Sequence, residues 1–208
     1  MKYNLKDNGF EVLKKVFNPS YFDLINDEYI LDLQNTSKIE NVFMTEFGPK
    51  QIQHLEDREW FKNFANDLSN LINIGGDVLN MQIFMKYPSY KITSPHQDGA
   101  YFDNPDRKII TFWVPLHDVN VDTSCMHYLP NSHLNGLIEH KPIGNVIRTR
   151  SGKTGQSLTL DKFPLEDFIP VPMNVGDVLV HDQLCVHYSN QNKTNKKRIA
   201  LTCVFEIK

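Results

Sequence analysis

Cysteine is scarce in this chain. Among 208 residues only Cys125, Cys185 and Cys203 occur, an odd number with no CxxC pair. That argues against a disulfide scaffold and suits a reducing compartment. Long apolar runs are also missing. No stretch approaches the ~18 residues of a membrane-spanning helix, and the opening "MKYNLKDNGFEVLKK" has no apolar segment of the signal-peptide kind. Basic runs are short. The densest, "NKTNKKR" (Asn192–Arg198), is accounted for by a solvated turn, and the net charge is -3. Neither nucleic acid nor a membrane is therefore expected as a partner, and the protein reads as soluble and cytoplasmic. Without an internal repeat or a linker, residues 1–208 read as one domain, long enough for a sizeable core.

What is present falls into two parts. Residues 1–75 read as mainly helical. "NPSYFDLINDEYILDLQN" offers Asn18 or Ser20 as an N-cap, then apolar Phe22, Leu24, Ile25, Tyr29 and Leu33 near the helical period. In "EDREWFKNFANDLSNLINIGG", Trp60, Phe61, Phe64, Leu68, Leu71 and Ile72 share a face, with Gly75-Gly76 as the expected stop. From residue 76 onward, short segments rich in Val, Ile, Phe and Tyr alternate with turn signals. That spacing predicts an all-β sandwich or barrel, with the helices packed on its sheet. A long connection from about Ser132 to Asp167 is either a lid, its Arg148, Arg150 and Lys153 facing an anionic substrate, or a solvated loop.

The polar residues of "TSPHQDGAYF" pose the functional question. On a strand, His96 and Asp98 point to one face and could bind one ion, with Gln97 turned away. The tripeptide alone is weak, because a satisfied polar pair explains it equally well. A third ligand must come from elsewhere among eight histidines. His54 reads as lying on or near a helix, His117 at a turn, and His133 and His140 in the long loop. Between His181 and His187 the second is favoured, because Ser189 shares its strand face and Arg198 opens the next strand. Two imidazoles and one carboxylate leave open coordination positions, the set suited to non-haem Fe(II). A nearby arginine is what a bidentate carboxylate anchor requires.

The succession "HQD", "FWVPLHDV", "HYLPNSH", "VPMNVGDVLVHDQLCVHYSNQN" and Arg198 resembles the phytanoyl-CoA dioxygenase family, from about Asn80 to Phe205. "NGFEVLKKVFNPSYFDLI" is more weakly similar to that family's helical opening. The resemblance implies an Fe(II)- and 2-oxoglutarate-dependent oxygenase on a double-stranded β-helix, a cupin-like jelly roll. His96, Asp98 and His187 would then be the iron ligands, and Arg198 with Ser189 would hold the distal carboxylate of 2-oxoglutarate. Trp113 would line that pocket, a role compatible with a core aromatic. From "NMQIFMKY", Met81, Gln82 and Lys86 could each face cosubstrate or substrate, although Lys86 also reads as an exposed strand-end lysine. The implied reaction consumes O2, releases succinate and CO2, and hydroxylates an unactivated C–H bond. An aspartate at position 98, where related halogenases carry a small residue, favours hydroxylation over halogenation.

Softer expectations complete the reading. Tyr101 lines the substrate entrance or simply packs. Asn192 fixes a turn, and Asp177 is structural. A cupin-like metal-binding or sensing protein would have no use for Ser189 and Arg198. A zinc hydrolase would need a general base, for which Asp182 is the candidate. The expected substrate is a small molecule, whether amino acid, osmolyte, acyl group or natural-product intermediate.

Overall fold

A computed structural model describes residues 3–102, 106–142, 156–157 and 163–208. Arg148, Arg150 and Lys153 lie outside the described residues. The helices are α1 (Leu5–Asn8), α2 (Asp27–Thr36) and α3 (Glu59–Ile72). Strands β1 (Phe10–Leu13), β2 (Val42–Thr45), β3 (Gly48–Gln53) and β4 (Gly76–Lys86) come first. They are followed by β5 (Thr93–His96), β6 (Ile109–Pro115) and β7 (Met126–Tyr128). After a small hairpin of β8 (Lys141–Pro142) and β9 (Gln156–Ser157) come β10 (Ile169–Val171), β11 (Val178–Asp182), β12 (His187–Ser189) and β13 (Arg198–Ile207).

Seven strands form a large sheet in the order β1-β11-β6-β13-β4-β3-β2, and four form a small one in the order β10-β7-β12-β5. Among the described residues every strand pairing is antiparallel. The two sheets make the expected jelly roll. The alternation of β13 explains how one strand serves two cores. Leu201, Cys203 and Phe205 face the helices, where they meet Leu33, Phe64 and Leu68. Ala200 faces the other way and packs with Phe10, Trp113 and Leu179 against Met126 and Tyr128 of the small sheet.

The N-terminal part departs from the helical expectation, because β1, β2 and β3 all lie within it and complete the large sheet. The segment "GPKQIQ" carries little strand signal, since Gln51 and Gln53 stand where an alternating strand would be apolar. Helix α2 is capped by Asn26, whose side chain accepts from the Tyr29 amide, while Asn18 caps only a preceding 3-10 turn. Helix α3 ends at Asn73 in the left-handed region, ahead of Gly75-Gly76. Gly76 opens β4 instead, where a Cβ would strike the Glu206 carbonyl. Leu71 is exposed, off the buried stripe of Phe61, Phe64, Ala65 and Leu68. Among the described residues, no helix is long and apolar enough to cross a membrane.

Candidate metal centre

Strand pairing brings the two distant histidines together. His187 at the start of β12 lies opposite His96 at the end of β5. The strand stops there, and Asp98 opens a 3-10 turn, Asp98–Tyr101. Strand alternation alone predicts both residues on one strand face; the turn achieves the same convergence by a different route. Asp98 Oδ1 stands 3.8 Å from His96 Nε2 and 3.6 Å from His187 Nε2. Ligand atoms of all three residues lie within 4.8 Å of one another, a spacing that one ion could bridge.

Each group is held for that task. His96 Nδ1 is 2.9 Å from the Ser94 carbonyl, and His187 Nδ1 is 2.9 Å from the Cys185 carbonyl. Donation to these oxygens leaves the Nε2 lone pairs turned toward the common centre. Burial pushes the pKa of both imidazoles down, strongly for His187, and so favours the neutral, ligating form. Burial opposes ionisation of Asp98, but His187 and a hydrogen bond from His181 hold its carboxyl well below the usual range.

The other carboxylate oxygen is occupied. Thr111 Oγ1 donates to Asp98 Oδ2 at 2.7 Å, and His181 Nε2 approaches the same oxygen at 3.0 Å. His181 Nδ1 in turn lies 2.8 Å from the Tyr128 hydroxyl. His181, set aside as a ligand in favour of His187, therefore orients the carboxylate. Neither Thr111 nor Tyr128 was singled out from sequence. The available signal was the alternation of "VLVHD", which puts His181 on the same face as Leu179, inside an otherwise apolar strand.

A cationic pocket adjoins this cluster. Arg198 on β13 pairs in register with Lys86 on β4, and the two are 5% and 3% exposed. Lys86 is therefore not a surface lysine. Its Nζ donates to the Ser189 hydroxyl at 2.8 Å and the Ser189 carbonyl at 3.0 Å, and also to the Asn190 carbonyl. Arg198 Cζ lies 5.4 Å from the centre of the Trp113 ring, which also belongs to the core between the sheets. Arg198 Nε is buried without a hydrogen-bond partner. Burial, then Arg198 itself, lowers Lys86 to about 6, and burial lowers Arg198 to about 10. Among the described residues no carboxylate pairs with either group. A buried guanidinium lacking a counter-ion, beside an amine whose charged form an incoming carboxylate would favour, makes a receptor for an anion.

The remaining candidates fall into place around this pair. Gln82 is on the same sheet face as Lys86 and accepts a hydrogen bond from Gln51. Met81 points oppositely, into the helix-side core, so it does not line the pocket. Gln97 is fully buried and turned away, bonded to the Gly136 and Leu184 carbonyls and the Ile138 amide. Tyr101 sets its ring edge-on to His96 at 6.0 Å. Asn192 ties the turn together through the Lys86 and Lys196 carbonyls. His54 follows β3 in the left-handed region, not a helix. Asp182 faces opposite to His181 and accepts from the Leu184 amide, a turn role away from the cluster.

Comparison with known proteins identifies the family. The family model for phytanoyl-CoA dioxygenase (PhyH) matches residues 7–200. The bovine phytanoyl-CoA dioxygenase domain-containing protein 1 is 29% identical over 130 residues, covering 60% of this chain and 43% of its own length. The chain thus spans less than half the length of that relative. Among solved structures, EvdO2 from Micromonospora carbonacea var. aurantiaca superposes with a TM-score of 0.74 at 24% identity, covering 98% of this chain and 88% of that one. SnoK, a non-heme alpha-ketoglutarate-dependent carbocyclase from nogalamycin biosynthesis, gives 0.72 at 18% identity, covering 98% and 81%. These likenesses establish the shared fold, and the match over residues 7–200 establishes the lineage: the chain belongs to the phytanoyl-CoA dioxygenase family.

Proposed function

We propose that this chain is an Fe(II)- and 2-oxoglutarate-dependent oxygenase that hydroxylates an unactivated C–H bond of a small molecule. The observation that carries the reading is the unpaired Arg198–Lys86 pocket, with its orphaned guanidinium Nε, beside a three-ligand metal cluster. A jelly roll that only stored or sensed a metal would gain nothing from a buried arginine and lysine with no carboxylate partner. The donor set fits ferrous iron, since two imidazoles and a carboxylate leave positions open for cosubstrate and O2.

His96, Asp98 and His187 are assigned as the iron ligands. Arg198 and the Ser189 hydroxyl bind the distal carboxylate of 2-oxoglutarate. Lys86, already donating to Ser189 Oγ, orients that hydroxyl so that its proton is free for the carboxylate. Trp113 stacks beneath the guanidinium and excludes water from it, and Gln82 borders the same pocket. Bound iron would activate O2 as the oxidant, with 2-oxoglutarate as the co-reductant that leaves as succinate and CO2. Thr111 and His181 keep Asp98 ionised and fixed. Asp98 also fills the third ligand position, which favours oxygen transfer over halide transfer.

Anaerobic titration with Fe(II) and 2-oxoglutarate tests this by the visible metal-to-ligand charge-transfer band. Wild type shows the band, and Arg198→Ala requires at least ~30-fold more 2-oxoglutarate, the loss expected for an ion-paired hydrogen bond of about 2 kcal/mol. No band in wild type, or unchanged affinity in the variant, refutes the assignment. Succinate formation against a metabolite panel then identifies the substrate, and the product's mass separates hydroxylation, a gain of one oxygen atom, from other outcomes of the same oxidant.

A further inference from the structure

Along the interior face of the large sheet, polarity changes abruptly. Leu179, Trp113, Thr202, Gln82 and Gln53 lie abreast on five successive strands. The first two are apolar and pack against the small sheet. The last three are polar, and Gln51 stands two residues along β3 on the same face. Gln51 and Thr202 are 3% and 5% exposed, so this is interior rather than rim. Gln51 Nε2 donates to Gln82 Oε1 at 2.5 Å, which fixes the direction of its amide. Gln51 Oε1 and Thr202 Oγ1 are left buried with no hydrogen-bond partner.

Each buried orphan costs about 1–3 kcal/mol, a cost that an apolar residue at either position would avoid. Two of them on one interior face of a folded chain mark a place where something else supplies the partners. The patch is also close to the chemistry. Thr202 is two residues from Val204, which pairs with Thr111, the residue that holds Asp98. That separation is about 7 Å along a strand. None of the patch residues is charged, and the nearest cations on the face, Lys86 and Arg198, belong to the cosubstrate pocket.

We propose that Thr202, Gln51 and Gln53, braced by Gln82, form the substrate subsite, and that the substrate is an uncharged small molecule presenting hydroxyl or amide groups. Glutamine and threonine offer donors and acceptors together, which is how a hydroxyl or amide is read. An ammonium group would find no counter-charge here, and an acyl chain would leave both orphans unpaired. The inference rests on the oxygenase reading and deepens it.

The test uses the full chain loaded anaerobically with Fe(II) and 2-oxoglutarate. Once the charge-transfer band is present, methyl β-glucopyranoside, myo-inositol and N-acetylglucosamine are added as uncharged probes. L-proline and glycine betaine serve as zwitterions, and butyryl-CoA as an anionic thioester. At least one uncharged probe perturbs the band and raises succinate release on admission of O2, and the charged probes do neither. Thr202→Val and Gln51→Met weaken that response at least ~10-fold more than they weaken 2-oxoglutarate binding, the loss of about one hydrogen bond. Thr202→Val also melts no lower than wild type, because it removes an unpaired hydroxyl. A response to charged probes alone, no response to any uncharged probe, equal loss of 2-oxoglutarate binding, or a clear drop in melting temperature overturns the proposal. Absence of the band in wild type refutes the oxygenase reading, and this inference with it.

Discussion

Removing His181 should loosen the metal without unfolding the protein. Its Nε2 stands 3.0 Å from Asp98 Oδ2, which also accepts from Thr111 Oγ1 at 2.7 Å. Those two donors keep Oδ1 aimed between His96 and His187. A hydrogen bond to a charged group contributes roughly 1.5–3 kcal/mol. At about 1.4 kcal/mol per decade, His181→Ala should weaken metal binding by ~10–150-fold, in line with the ~10–100-fold typical of residues that orient a ligand. His181→Gln keeps an N–H in reach of Oδ2 and should recover most of the loss. Because both donors act on one oxygen, His181→Ala and Thr111→Val should combine non-additively. Anaerobic calorimetry with Co(II) measures the affinities, and thermal melts of the metal-free proteins check the fold. If His181→Ala binds metal within twofold of wild type, or if Gln rescues no better than Ala, the carboxylate-orienting role is wrong.

Other outcomes follow from the same geometry. Lys86→Met should raise the 2-oxoglutarate dissociation constant by roughly 10-fold and leave metal affinity near wild type, as read from the charge-transfer titration. Phe64→Ala, which empties the core between α3 and the large sheet, should cost about 3–5 kcal/mol in chemical denaturation. Asp177 is buried, and burial opposes its ionisation, but Lys14 and the Lys15 and Asn174 amides hold its pKa below the ordinary 3.8. Its contribution should be full above that value and lost as the pH falls through the lower folded one, and Asp177→Asn should flatten this acid limb of the stability curve. Saturating wild type with Co(II) at ~100 times its dissociation constant should add about 2.7 kcal/mol of stability, and chelation should remove it.

How legible the molecule was depended on the residue. His96, Asp98, His187, Ser189 and Arg198 could be selected because metal and carboxylate chemistry restricts the residue types; strand alternation groups His187 with Ser189, but Asp98 joins His96 through a turn that alternation does not foresee. The jelly-roll core from β4 onward was legible because Val, Ile and Phe recur between turns. β3 was not, since its inward positions are Gln51 and Gln53, whose burial answers to polarity inside the barrel rather than to any strand preference. Thr111 and His181 were hidden for a different reason. Both sit in apolar strands, and only the register Thr111↔His181 reveals that they share an oxygen. Lys86 was ambiguous because a lysine at a strand end is usually solvated, and only the placement of β12 beside it shows otherwise.

One feature of the small sheet has a temporal consequence. Among the described residues β5 pairs with β12 alone, over a short and irregular register, yet it delivers His96 and leads directly into Asp98. On the proposed assignment one ligand therefore lies on a peripheral strand and a second in the turn after it, while the third is on the inner strand that holds them. An ion bound to all three acts as a clasp across that seam. Both sheets pair through the chain itself, and on the proposed assignment bound iron should add a cross-link that slows the opening of this seam. Amide hydrogens of Thr93–His96 should exchange quickly before loading and slowly afterwards, making this strand a built-in gauge of whether a given molecule has received its metal.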